Sequence, residues 1–239
     1  DVRRYPRGHL SASPTADGWL FRGTVSWVSG WGLNQVLLLA AVEEPTSRVV
    51  TALVPVSART IATPLMLRAV AGSRTVRVRI DGVAVPTADV LTVEPLATWG
   101  ATDRAETSDA RPHVFGLTAR VLDELRAEAA ATDVVARWAP RVAEIRSRAY
   151  TLADDAKAAE QPDHAVDQRL AVKATAAENL ATLSQALLVA RAGRGIAADD
   201  TAQLHARSAL FFLVQGQTAG VREVQLTRIA AQVPAGGAG

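Results

Sequence analysis

Up to about residue 100, β-branched and aliphatic residues come in short runs broken by Gly, Pro, Asp and Ser. Four of these runs, 19–28, 35–42, 48–56 and 75–85, predict strands. Within the last, Val76, Val78 and Ile80 fall on one face and Thr75, Arg77 and Arg79 on the other, as in a half-buried antiparallel strand. Asp81-Gly82 reads as a turn, and Pro86, which has no N–H to give a ladder, marks where the chain leaves the sheet.

From His113 onward the period becomes helical. Leu117, Val121, Leu122 and Leu125 form one apolar stripe, and Leu170, Ala174, Ala177, Leu180, Leu183 and Leu187 form a second. A third is expected through Leu204, Leu210, Phe211 and Leu213 towards Val221. Helices with such stripes pack as an antiparallel bundle. Pro140 starts a helix or kinks one, and Asp199 or Asp200 suits a helix N-cap. The pattern predicts an α+β protein. A small antiparallel, barrel-like β domain covers 1–100, a polar linker 101–112, a four-helix bundle 113–232 and a flexible Pro/Gly/Ala-rich tail 233–239.

Composition narrows the function. With 239 residues and 49% hydrophobic positions the chain can bury a core. Its net charge is +2 and like charges form no block, so nucleic acid is not the expected partner. The longest apolar run, 36–42, is far short of a membrane span, and the polar, basic residues 1–8 do not read as a secretory signal. The absence of Cys excludes thiolate metal sites, disulfides and Cys nucleophiles, and it fits a reducing, cytoplasmic setting. His9, His113, His164 and His205 have no metal-ligand spacing. No G-x-S-x-G elbow occurs, so a hydrolase triad has no support.

The stretch Gly18-Trp19-Leu20-Phe21-Arg22-Gly23-Thr24-Val25-Ser26-Trp27-Val28-Ser29 resembles the start of the central β domain of the acyl-CoA dehydrogenase family. Thr51-Ala52-Leu53-Val54-Pro55 and the segment from Val78 to Pro86 are similar to later motifs of that domain, in the family's order. The helical half resembles the family's C-terminal four-helix domain. Asp1 falls about where the family leaves its N-terminal helical domain. The resemblance therefore implies that this domain is missing from these residues or comes from another chain, and that the chain alone is incomplete as an enzyme.

The resemblance implies FAD as cofactor and an acyl-CoA or related thioester as substrate. It places Trp27, Val28 and Ser29 against the flavin ring, where an indole offers stacking area and a hydroxyl can tune a ring nitrogen; read without it, Trp27 is a core residue and Ser29 a turn residue. Gly193 and Gly195, flanking Arg194, stand in a glycine segment that would approach the diphosphate, or else they form a helix C-cap. Gly216 and Thr218 belong to the loop that usually carries the catalytic Glu. Gln215 occupies that position here, and an amide cannot accept the substrate's α-proton. Glu106, aligned with the base of the isovaleryl-type enzymes, is the remaining candidate base, against its reading as a solvated surface residue. The family's FAD-binding Arg segment is not found after Leu125. Three functions stay open: an acyl-thioester dehydrogenase, a catalytically degenerate binding or structural subunit, and a reduced-flavin-dependent monooxygenase. Assembly as a homo-oligomer, or as a hetero-oligomer with a paralogue, is expected through the helices.

Overall fold

The computed structural model describes residues 2–161 and 163–232. The expected tail at 233–239 lies outside them. The chain forms two compact units, Asp1–Ala101 and Thr102–Gly239.

The first unit is one seven-stranded sheet: β1 (Leu10–Pro14), β2 (Gly18–Val28), β3 (Val36–Glu43), β4 (Arg48–Pro55), β5 (Thr60–Pro64), β6 (Val76–Pro86) and β7 (Val90–Pro95). Their spatial order is β5-β6-β2-β1-β3-β4-β7, with β5 and β7 left as edges, so the sheet is not closed. Every pairing is antiparallel except the short parallel contact of β1 with β3. Leu10, Phe21, Leu37, Leu39, Val50, Val54, Val78 and Ile80 belong to one buried cluster. Side chains from so many strands meet only if the sheet curls around them. Val42 and Val49 face the other way and pack with Val2 and half-buried Trp99.

The four expected strands are present, and Pro86 ends β6. The turn expected at Asp81-Gly82 is not there. Strand β6 runs straight through, with Phe21 opposite Val83 and Arg22 opposite Asp81. Gly82, at φ +67°, is the extra residue of a β-bulge, because glycine accepts this backbone without a Cβ penalty. The β3–β4 connection is fixed by charge: the buried Glu43 carboxylate takes Arg48 Nε at 2.7 Å together with the Thr46 hydroxyl.

The second unit is helical. Helix α1 (Leu96–Glu106) starts inside the first unit and occupies part of the expected linker; α2 (Pro112–Arg126), α3 (Thr132–Ala158), α4 (Val166–Arg191), α5 (Thr201–Val214) and α6 (Ala219–Ala230) follow. Helices α2 to α5 share one core, in which Val121, Leu125, Leu180, Leu183 and Leu187 are fully buried. Helix α6 rests on α4 through Val221, Leu170 and Val166. Pro140 is accommodated inside α3, and Asp200 caps α5 by accepting from the Ala202 N–H at 2.8 Å.

The third apolar stripe is not the buried one. Leu204 and Leu210 are exposed, and α5 turns Ala202, His205 and Ala209 inward instead. Small residues let α5 lie close to α4, and His205 is held by an ionic partner, so the face that looks polar in sequence is the packed one.

Candidate functional site

The strand segment 25–29 is shaped by a second bulge. Val25 pairs with Val78 and Val28 with Val76, so β2 spends one residue more than β6 between them. The irregularity turns both valines to the core and leaves the Trp27 indole 46% exposed. Ser29 follows at the strand end, its Oγ 2.9 Å from the Thr75 hydroxyl, which also meets Ser73 Oγ at 2.6 Å. The main-chain oxygen of Ser29 accepts from Asn34 Nδ2 at 3.1 Å. Trp27 is therefore a surface aromatic on a pinned strand, with a hydroxyl nearby and Val28 beneath in the core.

The two motif glycines within β2 have a packing reason. A Cβ on Gly18 would stand 2.2 Å from the Val85 carbonyl oxygen, and one on Gly23 2.8 Å from that of His9.

In the helical unit, the chain between α5 and α6 is held by its own hydrogen bonds. The Gln215 N–H donates to the Phe211 carbonyl, Gly216 takes φ +60°, and the Thr218 hydroxyl accepts from the Val221 N–H as N-cap of α6. Gln215 Oε1 lies 2.8 Å from Nε2 of His113, in the first turn of α2. The Phe212 ring stacks on the His113 imidazole at 5.0 Å between centroids and 26° between planes. The half-buried Lys173 on α4 donates to the Thr107 carbonyl at 2.6 Å. His113, Gln215, Phe212, Lys173 and Arg111 line one small cavity of about 30 Å³.

Gly193 and Gly195 lie in the 3-10 turn that follows α4. A Cβ at 195 would meet the Leu188 carbonyl at 3.0 Å and the Arg191 Cβ at 3.1 Å, whereas one at 193 would meet open space. Arg194 donates to Glu128 at 2.8 Å. A side chain at 195 would thus be tight against the chain's own backbone, and the exposed Arg194 is paired with Glu128. The exposed indole and hydroxyl at 27–29 do suit the face of a flat ring.

Glu106 ends α1 with its side chain exposed, lining a separate hollow with Asp109, Lys157, Glu160 and Arg169. There the buried Arg169 guanidinium holds both Asp109 oxygens, at 2.7 and 2.9 Å.

Sequence reasoning missed an ionic network between α2, α4 and α5. Arg191 donates to Glu124, Glu128 and Asp200 at 2.8, 2.9 and 2.7 Å, and Glu124 also takes the Thr201 hydroxyl and lies 3.0 Å from His205 Nε2. Burial works to raise the Glu124 pKa. The hydrogen bonds from Thr201 and His205 and the charges of His205 and Arg191 outweigh it and hold the carboxyl at about 2. Glu128 is also lowered, chiefly by the Arg191 hydrogen bond. Asp200 is lowered first by the Ala202 N–H and then by Arg191. The one local hint was Arg120, one helical turn before Glu124, which donates to it at 3.0 Å; Arg191 lies more than sixty residues from Glu124 and from Glu128. Among the described residues, no group of three or more His, Asp or Glu side chains is placed to hold a metal ion. No helix among them is long and apolar enough to cross a membrane.

No family model matches the sequence, and no curated protein matches it. Solved structures do match in shape. Butyryl-CoA dehydrogenase of Megasphaera elsdenii superimposes with a TM-score of 0.76 at 14% identity, over 94% of this chain and 63% of that one. A glutaryl-CoA dehydrogenase in complex with glutaryl-CoA gives 0.74 at 17% identity, over 93% and 62%. A glutaryl-CoA dehydrogenase of Mycobacterium smegmatis in complex with FADH2 gives 0.71 at 14% identity, over 95% and 62%. The fold is that of the acyl-CoA dehydrogenase family. The chain spans less than two thirds of the length of each of these three proteins.

Proposed function

We propose that the protein is an acyl-CoA dehydrogenase-like flavoprotein oxidoreductase acting on the CH–CH bond of an acyl thioester. The observation that carries this reading is the exposed Trp27 indole on a pinned strand of a sheet with the acyl-CoA dehydrogenase fold. The exposed part of the indole forgoes the stabilisation that burying a large aromatic brings, and a flat ring laid on it would recover that area. Trp27 would support the ring's face, and the Ser29 hydroxyl, fixed by Thr75, would offer a hydrogen bond at its edge; Val28, expected beside the ring, turns into the core instead. When bound, FAD supplies the acceptor for the substrate's β-hydrogen. The chain's part is to orient the ring, hold the thioester and take the α-proton. Exposed Leu204, Leu210, Leu226 and Ile229 on α5 and α6 favour assembly through the helical unit, as a homo-oligomer or with a paralogue.

The test is direct. The protein incubated with FAD and desalted should show flavin absorbance bands and quenched indole fluorescence. Anaerobic addition of a panel of acyl-CoAs should then bleach the bands. A protein that takes up no FAD overturns the reading. One observation favours a second reading, a non-catalytic binding subunit: the side chain presented between α5 and α6 is the amide of Gln215, which accepts no proton. Flavin uptake without bleaching by any thioester supports that alternative.

A further inference from the structure

The cavity between α2, α4 and the end of α5 holds an imidazole in a defined setting. The Gln215 amide oxygen can only accept, so its 2.8 Å contact with Nε2 requires a proton on that nitrogen. In the neutral ring this leaves Nδ1 as the atom with a lone pair. Phe212 stacks against the ring and restricts its rotation. His113 and Gln215 are exposed, whereas the cavity of about 30 Å³ has room for little more than a water molecule, so a substrate would meet the two side chains from the solvent side. The Lys173 ammonium stands on the wall of the same cavity, close enough to the α5–α6 turn that a Cβ on Gly216 would lie 3.9 Å from Nζ. Base, orienting partner and cation are the three parts needed to remove a proton next to a carbonyl.

We propose that His113 is the base that removes the α-proton of an acyl thioester, with Gln215 as its positioning residue and Lys173 as the cation facing the developing enolate. The assignment rests on the acyl-thioester reading above. The C–H bond next to the thioester carbonyl breaks, its electron pair moves onto the carbonyl as an enolate, and the proton passes to Nδ1 of His113. Reversal in heavy water returns a deuteron to carbon. Exchange consumes no oxidant and runs without flavin. Glu106, by contrast, stands exposed in a different hollow that shares no lining residue with this cavity.

The experiment incubates the protein, with and without FAD, with butyryl-CoA or glutaryl-CoA in D2O and follows α-deuteration by mass spectrometry. The wild type should exchange in both conditions, with a rate that rises with pH through a single ionisation. His113→Gln, checked for native circular dichroism, should lose about 100-fold or more of the rate together with that inflection. Lys173→Met should lower the rate and keep the inflection, as should Gln215→Leu, which frees the tautomer. His164→Gln, at an exposed turn, should exchange as the wild type does. A folded His113→Gln protein that exchanges normally, or loss of exchange in Glu106→Gln alone, overturns the assignment and leaves the thioester reading standing. A wild type that exchanges neither thioester overturns both.

Discussion

Arg191 and Glu124 meet at 2.8 Å, with side chains only 11% and 8% exposed, and join the end of α4 to α2. The same guanidinium reaches Glu128 and Asp200, so one cation stands among three carboxylates. Burying such charges is costly in itself, and the geometry compensates only while every partner is present. Arg191→Ala should cost about 3–5 kcal/mol, because Glu124 would remain buried beside two other acids. Arg191→Lys should recover little, since an ammonium lacks the planar fork that serves several acceptors at once. Urea denaturation followed by circular dichroism measures both.

Glu124 also sets an acid limit on the helical unit. Its carboxyl is held at about 2 against an ordinary 4.5, so the folded state favours the ionised form. The resulting stabilisation is complete above the ordinary value and is lost as pH falls from there towards 2. The amount at stake is about 3 kcal/mol. Wild-type stability should therefore drop steeply over that window. Glu124→Gln should be less stable at neutral pH but show a shallower acid slope, because the group that titrates is gone. Denaturation midpoints taken across the window separate the two.

The contrast between these residues and the strands explains what a sequence can tell. The strands 19–28 and 75–85 were legible because alternation is a local property: Val76, Val78 and Ile80 declare one face within a few residues. Strand β1, Leu-Ser-Ala-Ser-Pro, declares only Leu10 and Ala12, and β5 is as short and polar, so neither stands out from a loop. Asp81-Gly82 has the composition of a hairpin turn, yet the partner strand decides, and opposite Arg22 the glycine becomes a bulge. On α5 the large apolar residues suggested the wrong face, because the buried one is made of alanines and a histidine paired with Glu124. The indole at Trp27 and the amide at Gln215 were visible as residue types. That the first is exposed, and that the second touches His113, depends on register and on contacts over 100 residues apart, which no local pattern encodes.

Gly18 gives a prediction about the motif itself. It pairs with Pro86 at the end of β6, has φ +156°, and leaves 2.2 Å between a built Cβ and the Val85 carbonyl oxygen. Backbone stands on the other side, so no side chain can swing away. Gly18→Ala should destabilise the β unit by on the order of 2–3 kcal/mol. Gly72, whose Cβ would meet nothing within 4 Å, is the comparison: Gly72→Ala should change stability by less than about 0.5 kcal/mol. Thermal melts of the two variants test whether the sheet's own geometry requires glycine at this position.

Trp27 makes the opposite case, a residue whose removal should spare the fold and harm binding. Its indole is 46% exposed, while the core valines on either side of the bulge remain in place without it. Trp27→Ala should cost about 1–2 kcal/mol, less than the loss of a fully buried aromatic, because about half of the residue already faces solvent. If a flavin ring lies on that indole, the variant should bind FAD about tenfold more weakly, the equivalent of roughly 1.4 kcal/mol of lost stacking and apolar area. Trp27→Phe should fall between the two, since a smaller ring keeps part of the face. Isothermal titration of FAD into the three proteins orders them as wild type, Phe, Ala. Equal affinities in all three would move the flavin away from this strand and leave the exposed indole to serve a protein contact instead.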